Sequence, residues 1–427
     1  GTVTFTGGIT VVTNANATVN INSMPITDFA TSGPFGIDID NDGIDDYETY
    51  KVTNLTGSIS VESSEELYCA YFNVNGAATS GSFYSGFPTA PEINFDTTVT
   101  SLGNCISNVT LQAANTDLFD SVKWEYFNEN TTTWEEKSTN NTYQPIESEP
   151  GRYRLIGRID CTNTTFESIE IPVSLCPDDF DGDLIIDNLD VDIDNDGILN
   201  CDESLGNASI NISDIDNPEI IFQDSSTNSA IISRVYTESE VSNSFSGTNT
   251  GNFQSIINPA VDSKLQYELK FTQNINFTFT QNKNTDHTIS EGEFFILKIG
   301  PSNKNVTLLD PDDQLLIDTN FDGEFEVGVT RISASEIHFK YKANTTGAAS
   351  SFQFLANQVD QIDFKHQSTG LTNASTFNGN LELTCFSLDS DGDGIENMFD
   401  LDSDNDGIPD VNEAFPQPSS LSGTDAN

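Results

Sequence analysis

Residues 400–413 read Asp400-Leu401-Asp402-Ser403-Asp404-Asn405-Asp406-Gly407-Ile408-Pro409-Asp410-Val411-Asn412-Glu413. From Asp402 onward an oxygen ligand stands at every second residue, and Gly407 closes the series where a sharp turn is needed. That is the donor pattern a calcium ion requires. No lysine or arginine interrupts it. Carboxylates packed so densely repel one another unless a divalent cation sits among them. The segment therefore folds around ions, and the apolar cores must lie in the sequence on either side.

The same spacing recurs along the chain. Asp389, Asp391, Asp393-Gly394, Asn397 and Asp400 precede Asp402, Asp404, Asp406-Gly407, Asp410 and Glu413 by thirteen residues. Asp179, Asp181, Asp183, Asp187 and Asp190 stand in the same thirteen-residue register to Asp192, Asp194, Asp196-Gly197, Asn200 and Glu203. Each unit offers oxygens at positions 1, 3, 5, 9 and 12 of a twelve-residue loop, the positions an EF-hand uses. EF-hands need a helix on both sides, and here one loop abuts the next, so helices have no room. Two single loops share the pattern: Asp38, Asp40, Asp42-Gly43 and Asp46, and Asp318, Asn320, Asp322-Gly323 and Glu326.

The tandems at 177–204 and 389–413 resemble thrombospondin type 3 repeats, whose loops share ligands and bury themselves on calcium. The resemblance implies calcium as the cofactor and disulfide stapling, which pairs Cys176 with Cys201 across the first tandem. Leu184 stands where the family has glycine, and Asn200 and Asn397 where it has aspartate. Those departures imply weaker ion binding in their loops.

Between the tandems the sequence alternates apolar and polar residues in short runs rich in Thr, Val and aromatics, which is strand composition. Residues 1–92 form one β-sandwich module carrying the first single loop. Residues 93–176 order Cys105, a central Trp124, a late Gly151-Arg152-Tyr153 strand and Cys161, and so resemble an immunoglobulin-like sandwich. A Cys105–Cys161 bridge between distant strands is the corresponding expectation. Residues 205–388 hold about nine candidate strands and no sustained helical period, the pattern of one large jelly-roll-like sandwich. Residues 414–427 are a linker. The fold class is all-β: β-sandwich domains strung together by calcium-binding linkers. Cys69 and Cys385 remain, each a buried free thiol or bonded outside the chain.

Charge narrows the function. With 67 acidic and 16 basic residues the net charge is −51, which excludes nucleic acid as a partner because phosphate recognition needs a basic face. No apolar stretch is long enough for a membrane-spanning helix. Carboxylate-rich, weak sites suit millimolar extracellular calcium. His287, His338 and His366 are scattered, His338 in an alternating strand at the surface or rim, and no nucleophile or phosphate-binding motif occurs. The expected protein is not an enzyme.

Residues Asn54–Val61 with Glu66–Ala77 look like a module of the giant surface adhesins of gliding Bacteroidetes, the SprB-like proteins. That resemblance implies type IX export, a place on the outer cell surface, and adhesion during gliding. Its partners would be neighbouring domains of a longer chain, surface glycans, and the secretion or motility machinery. The ending Thr424-Asp425-Ala426-Asn427 reads as the start of another acidic loop, hence a slice of something longer. The competing expectation is a carbohydrate-binding accessory region of a secreted polysaccharide-degrading enzyme, with a site on residues 205–388; it ranks second because that block has no tryptophan and its aromatics mostly alternate into the core instead of forming an exposed platform.

Overall fold

The computed structural model describes residues 6–29, 31–38, 43–56, 59–65, 67–75, 78–86, 91–95, 105–106, 108–160, 163–228, 231–238, 243–260, 263–281, 292–342, 352–368, 370 and 373–414. Strands dominate. Helix among these residues is confined to 3-10 turns at Ile26–Asp28 and Asn397–Phe399 and a short α-helix at Asp410–Ala414. No described helix is long and apolar enough to cross a membrane. The chain separates into two compact units: residues 1–92 with 115–122 and 156–167, and residues 93–114, 123–155 and 168–427.

In the first unit, Thr6–Asn14 lies between Tyr47–Leu55 and Leu67–Asn75, all antiparallel. Thr31–Ile37 and Ala78–Gly86 form the edges of this five-stranded sheet. Alternation along the strands turns Ile9, Val11, Tyr50 and Val52 onto a core shared with Val19, Ile21 and Ile26. Cys69 is half-buried and unbonded, and burial pushes its thiol pKa up.

The second unit opens with the immunoglobulin-like sheet. Trp124 is fully buried and donates its indole N–H to the Asn140 carbonyl at 2.9 Å. Tyr153, also fully buried, donates its hydroxyl to the Glu149 carbonyl at 2.6 Å. A tyrosine bonded back to nearby upstream backbone is a mark of such sandwiches. The buried Glu125 carboxylate receives Arg154 at 2.8 Å and Lys123 at 2.6 Å.

The large sandwich is built on two long strands, Lys264–Gln281 and Gln353–Ser368, which pair antiparallel. Register shifts between Lys270 and Phe277 let Lys264–Gln281 change neighbours. Residues 265–271 pair with Ile231–Glu238, and residues 277–281 pair with Ser375–Leu383. Breaks of this kind carry one strand round the corner of a sandwich. Phe253, Phe279, Phe295, Phe364 and Phe377 pack ring to ring inside it. His366 is fully buried there, bonded to Ser255 at 2.9 Å.

Both expected disulfides are replaced. Cys105 bonds Cys176, not Cys161, because Cys105–Ile106 runs parallel to Ile171–Leu175 and sets the two cysteines side by side. Cys161 itself lies outside the described residues. Cys201 bonds Cys385, not Cys176. The first and last strands of the sandwich are neighbours, with Ala208 opposite Leu383, so cysteines just outside them meet. Cys385 is therefore no leftover thiol.

The Cys201–Cys385 bridge spans a sequence separation of 184. Closing so long a loop restricts the unfolded chain, an effect worth about 2–5 kcal/mol. Cys385→Ser should lower the denaturant midpoint of the large sandwich correspondingly; an unchanged midpoint under oxidising conditions would contradict a stabilising bridge.

Candidate metal centres

Each aspartate-rich loop is wound by one set of hydrogen bonds, counted from its first acidic residue as position 1. The position-1 carboxylate accepts the N–H of position 6: Leu184 on Asp179 at 3.2 Å, Gly197 on Asp192 at 3.2 Å, Gly323 on Asp318 at 3.0 Å, Gly394 on Asp389 at 3.1 Å and Gly407 on Asp402 at 2.9 Å. Position 3 accepts from position 5, as in Asp404 from Asp406 at 3.2 Å and Asn320 from Asp322 at 3.2 Å. Position 5 accepts from position 7, as in Asp183 from Ile185 at 2.7 Å and Asp322 from Glu324 at 2.8 Å. These are Asx-turns in series. The N–H of position 9 returns to the carbonyl before position 1: Asp187 to Asp178, Asn200 to Val191, Glu326 to Ile317, Asn397 to Leu388 and Asp410 to Leu401.

Position 9 also closes the loop with its side chain. Asp187, Asn200, Glu326, Asn397 and Asp410 each accept the N–H of position 2, at 2.9–3.0 Å. A neutral amide oxygen accepts that bond as a carboxylate does. Asn200 and Asn397 thus keep the loop's geometry, although the sequence reading gave them weaker binding. In the loop of the first unit, Gly43 donates to Asp38 at 2.9 Å and the Asp46 N–H to Ile37 at 2.9 Å. Asp40 and Asp42 lie outside the described residues.

Two residues in each of the five loops take the left-handed conformation. Position 4 holds Gly182, Asn195, Phe321, Gly392 or Asn405, and position 6 holds Leu184 or a glycine. Leu184 has φ of +80° and is 89% exposed, so its side chain gains little in return for the strain. The left-handed conformation costs a non-glycine residue roughly 1–2 kcal/mol, partly offset by glycine's greater unfolded entropy. Leu184→Gly should stabilise the first loop by about 0.5–1 kcal/mol, measured as tighter cation binding; weaker binding would show that the leucine contributes a contact of its own.

Asp179 and Asp389 use both carboxylate oxygens, the second accepting the Gly182 or Gly392 N–H, but several other carboxylates use one and leave the other over. Asp38 Oδ1, Asp181 Oδ2, Asp192 Oδ1, Asp194 Oδ2, Asp196 Oδ2, Asp318 Oδ1 and Asp402 Oδ1 are buried with no hydrogen-bond partner, as are both Glu203 oxygens. The oxygens of Asp179, Asp181 and Asp183 lie within 4.8 Å of one another, and so do those of three further triplets: Asp192, Asp194 and Asp196; Asp389, Asp391 and Asp393; Asp402, Asp404 and Asp406. At that separation two unit charges repel by roughly 3 kcal/mol at an effective dielectric constant of about 20. Burial, then the charge of its neighbours, pushes Asp194 up to about 6. Burial with Asp194, Asp196, Asp410 and Asp192 pushes Glu203 up to about 8. The donor set is oxygen throughout, which fits a hard divalent cation.

At position 12, burial and then the charges of Asp183 and Asp181 raise Asp190, and the charges of Asp404, Asp406, Asp410 and Asp402 raise the exposed Glu413. Asp400 accepts the N–H of Asp402 at 3.1 Å. In the single loop at 318, His338 Nδ1 stands 4.0 Å from Asp318 and Nε2 2.7 Å from Glu336. That histidine is partly buried, in keeping with a rim position, and edges onto the Phe321 ring.

Sequence reasoning missed what moors the first tandem. Asn188 donates to the Asn305 carbonyl and Thr307 hydroxyl, both at 3.0 Å, and accepts the Asn357 N–H at 2.8 Å. Asn305 reaches the other way, to the Ser174 hydroxyl at 2.7 Å and the Leu175 carbonyl at 2.9 Å. Lys304 pairs with Asp178 at 2.9 Å. The tandems also bury apolar anchors, Ile186, Ile193 and Met398, which the purely ionic reading did not foresee. An isolated Asn or Met gives no periodic signal by which such contacts could be found.

No protein-family model matches the chain, and no curated protein matches it. Among solved structures it is similar to SGBP-B from a complex xyloglucan utilization locus in Bacteroides uniformis, at 11% identity over 79% of this chain and 83% of that one, with a TM-score of 0.16. A likeness at that score carries no argument about this chain.

Proposed function

We propose that this chain is a non-catalytic, calcium-rigidified stretch of a secreted cell-surface adhesin. The observation that carries the reading is the repeated loop with its leftover carboxylate oxygens. The loops are wound by hydrogen bonds, yet all except the one at 389–400 still hold buried carboxylate oxygens without a partner, and in each tandem loop three carboxylates bring oxygens within 4.8 Å of one another. A calcium ion with its six to eight oxygen ligands resolves that conflict.

Calcium then acts on the joint between domains. The first tandem is bonded at Asn188 to the large sandwich, and Asn305 binds that sandwich to the end of the immunoglobulin-like sheet. If each site has a Kd of ~10⁻⁴ M and free calcium is ~10 mM, binding favours the folded tandem by about 2.7 kcal/mol per site. Without the ion, clustered carboxylates oppose the fold and leave it little else to bury. Placement on the surface of a gliding cell and type IX export rest on the resemblance of residues 54–61 and 66–77 to adhesin modules.

Titration calorimetry with Ca²⁺ should show several exothermic or endothermic steps beyond dilution. Chelation should raise the radius of gyration in small-angle scattering while the far-UV β signal persists. A protein that gives no binding heat and no change in scattering is not held by calcium.

A second reading, carbohydrate binding, is favoured by one feature of the first unit. The Tyr68 and Phe83 rings lie 6.2 Å apart at 22°, and Phe83 is 70% exposed. Phe72 lies on the same sheet face with Lys51 Nζ 5.8 Å over its ring. Flat exposed rings suit the apolar faces of sugars, whereas the sandwich at 205–388 turns the aromatics of its core inward. Affinity electrophoresis against neutral polysaccharides should show retardation that Phe83→Ala abolishes; a protein retarded by none of them rules this reading out.

A further inference from the structure

The two tandems, nearly two hundred residues apart in the chain, meet in space. Phe180 from the first packs edge-on against Phe399 from the second, with ring centres 5.2 Å apart. A Cβ on Gly197 would stand 3.9 Å from Val411 Cγ2. Beside this apolar contact, the ligand oxygens of Asp196 and Glu203 lie within 4.8 Å of those of Asp410.

We propose that Asp410 of the second tandem completes a calcium site whose other ligands, Asp192, Asp194, Asp196 and Glu203, belong to the first, so that one ion clamps the two segments together. This rests on the calcium reading above and goes beyond it, because the loop pattern assigns Asp410 only to its own loop. Glu203 is 8% exposed and neither of its oxygens has a partner. Asp194 is 9% exposed and has Oδ2 free, as Asp196 has Oδ2 and Asp192 has Oδ1. These oxygens converge where no hydrogen-bond donor answers them. Asp410 is held at this place by its own loop: its carboxylate accepts the Ser403 N–H at 3.0 Å, and its backbone N–H reaches the Leu401 carbonyl at 3.0 Å.

Two triplets meet at Asp196: its oxygens and those of Asp192 and Asp194 lie within 4.8 Å of one another, and so do oxygens of Asp196, Glu203 and Asp410. Such a convergence of five carboxylates suits calcium better than magnesium, which keeps several waters and takes one or two carboxylates. Loss of the ion would release the second tandem from the first. The Cys201–Cys385 bridge would still hold the chain nearby.

The test is a double-mutant cycle on the full chain, read by Ca²⁺ calorimetry. Glu203→Gln and Asp410→Asn should each weaken the same binding step about tenfold or more, and the double variant should be little weaker than the worse single one. Glu203→Gln with Asp404→Asn, a residue of the last loop alone, should instead give losses that multiply. A second readout needs no site assignment: in calcium, Glu203→Gln should speed cleavage after Glu396 by a glutamate-specific protease. Losses that multiply for Glu203→Gln with Asp410→Asn, or an unchanged cleavage rate, would overturn the shared site while leaving calcium binding intact. Absence of any calcium heat in the parent protein would overturn both.

Discussion

Repulsion between carboxylates held within a few ångströms is the constraint on which the rest of this molecule depends. The tandem loops draw their backbone into place with Asx-turns and the position-9 cap, and in doing so they force charges together. Burial in the second loop makes the conflict sharper, as the raised Asp194 and Glu203 show. The hydrogen bonds alone build a cage of like charge, which is why the proposed function gives these loops a cation. Where an ordinary domain gains its stability from apolar area, these segments add only a few apolar anchors such as Ile193 and Met398.

The sandwiches answer a different need. Their strands alternate, close on aromatic interiors and offer polar edges to which the loops can be fastened. Asn188, Asn276 and Asn305 do that fastening. Asn276 donates to the Cys385 carbonyl at 3.2 Å and accepts the Gln358 N–H at 2.9 Å, which fixes the chain where it leaves the sandwich for the second tandem. The sandwich edges thus hold the neighbouring loops in place through amide hydrogen bonds.

The loops were legible in the sequence because their ligands obey a local rule. Position 1 finds position 6, and position 9 finds position 2, without reference to the rest of the chain. Trp124 and Tyr153 were legible for a similar reason, as a spaced pair in a known kind of sheet. Long-range adjacency was not. Cys385 seemed unpaired because nothing local says that Ser375–Leu383 lies beside Ala208–Asn211. Asp410 seemed to serve its own loop because the meeting of Phe180 with Phe399 follows from how the tandems fold back, which no period encodes. The left-handed position 4 was half visible, as Gly or Asn in four loops, and hidden by Phe321 in the fifth.

The bond between Cys201 and Cys385 has a mechanical consequence whenever the chain is under tension. Tension travelling along the backbone reaches the large sandwich at Cys201 and leaves it at Cys385. The sulfur bridge conducts that tension directly, so the strands between are bypassed and bear none of it. The load falls instead on the segments before Cys201 and after Cys385, which lie outside the bridge.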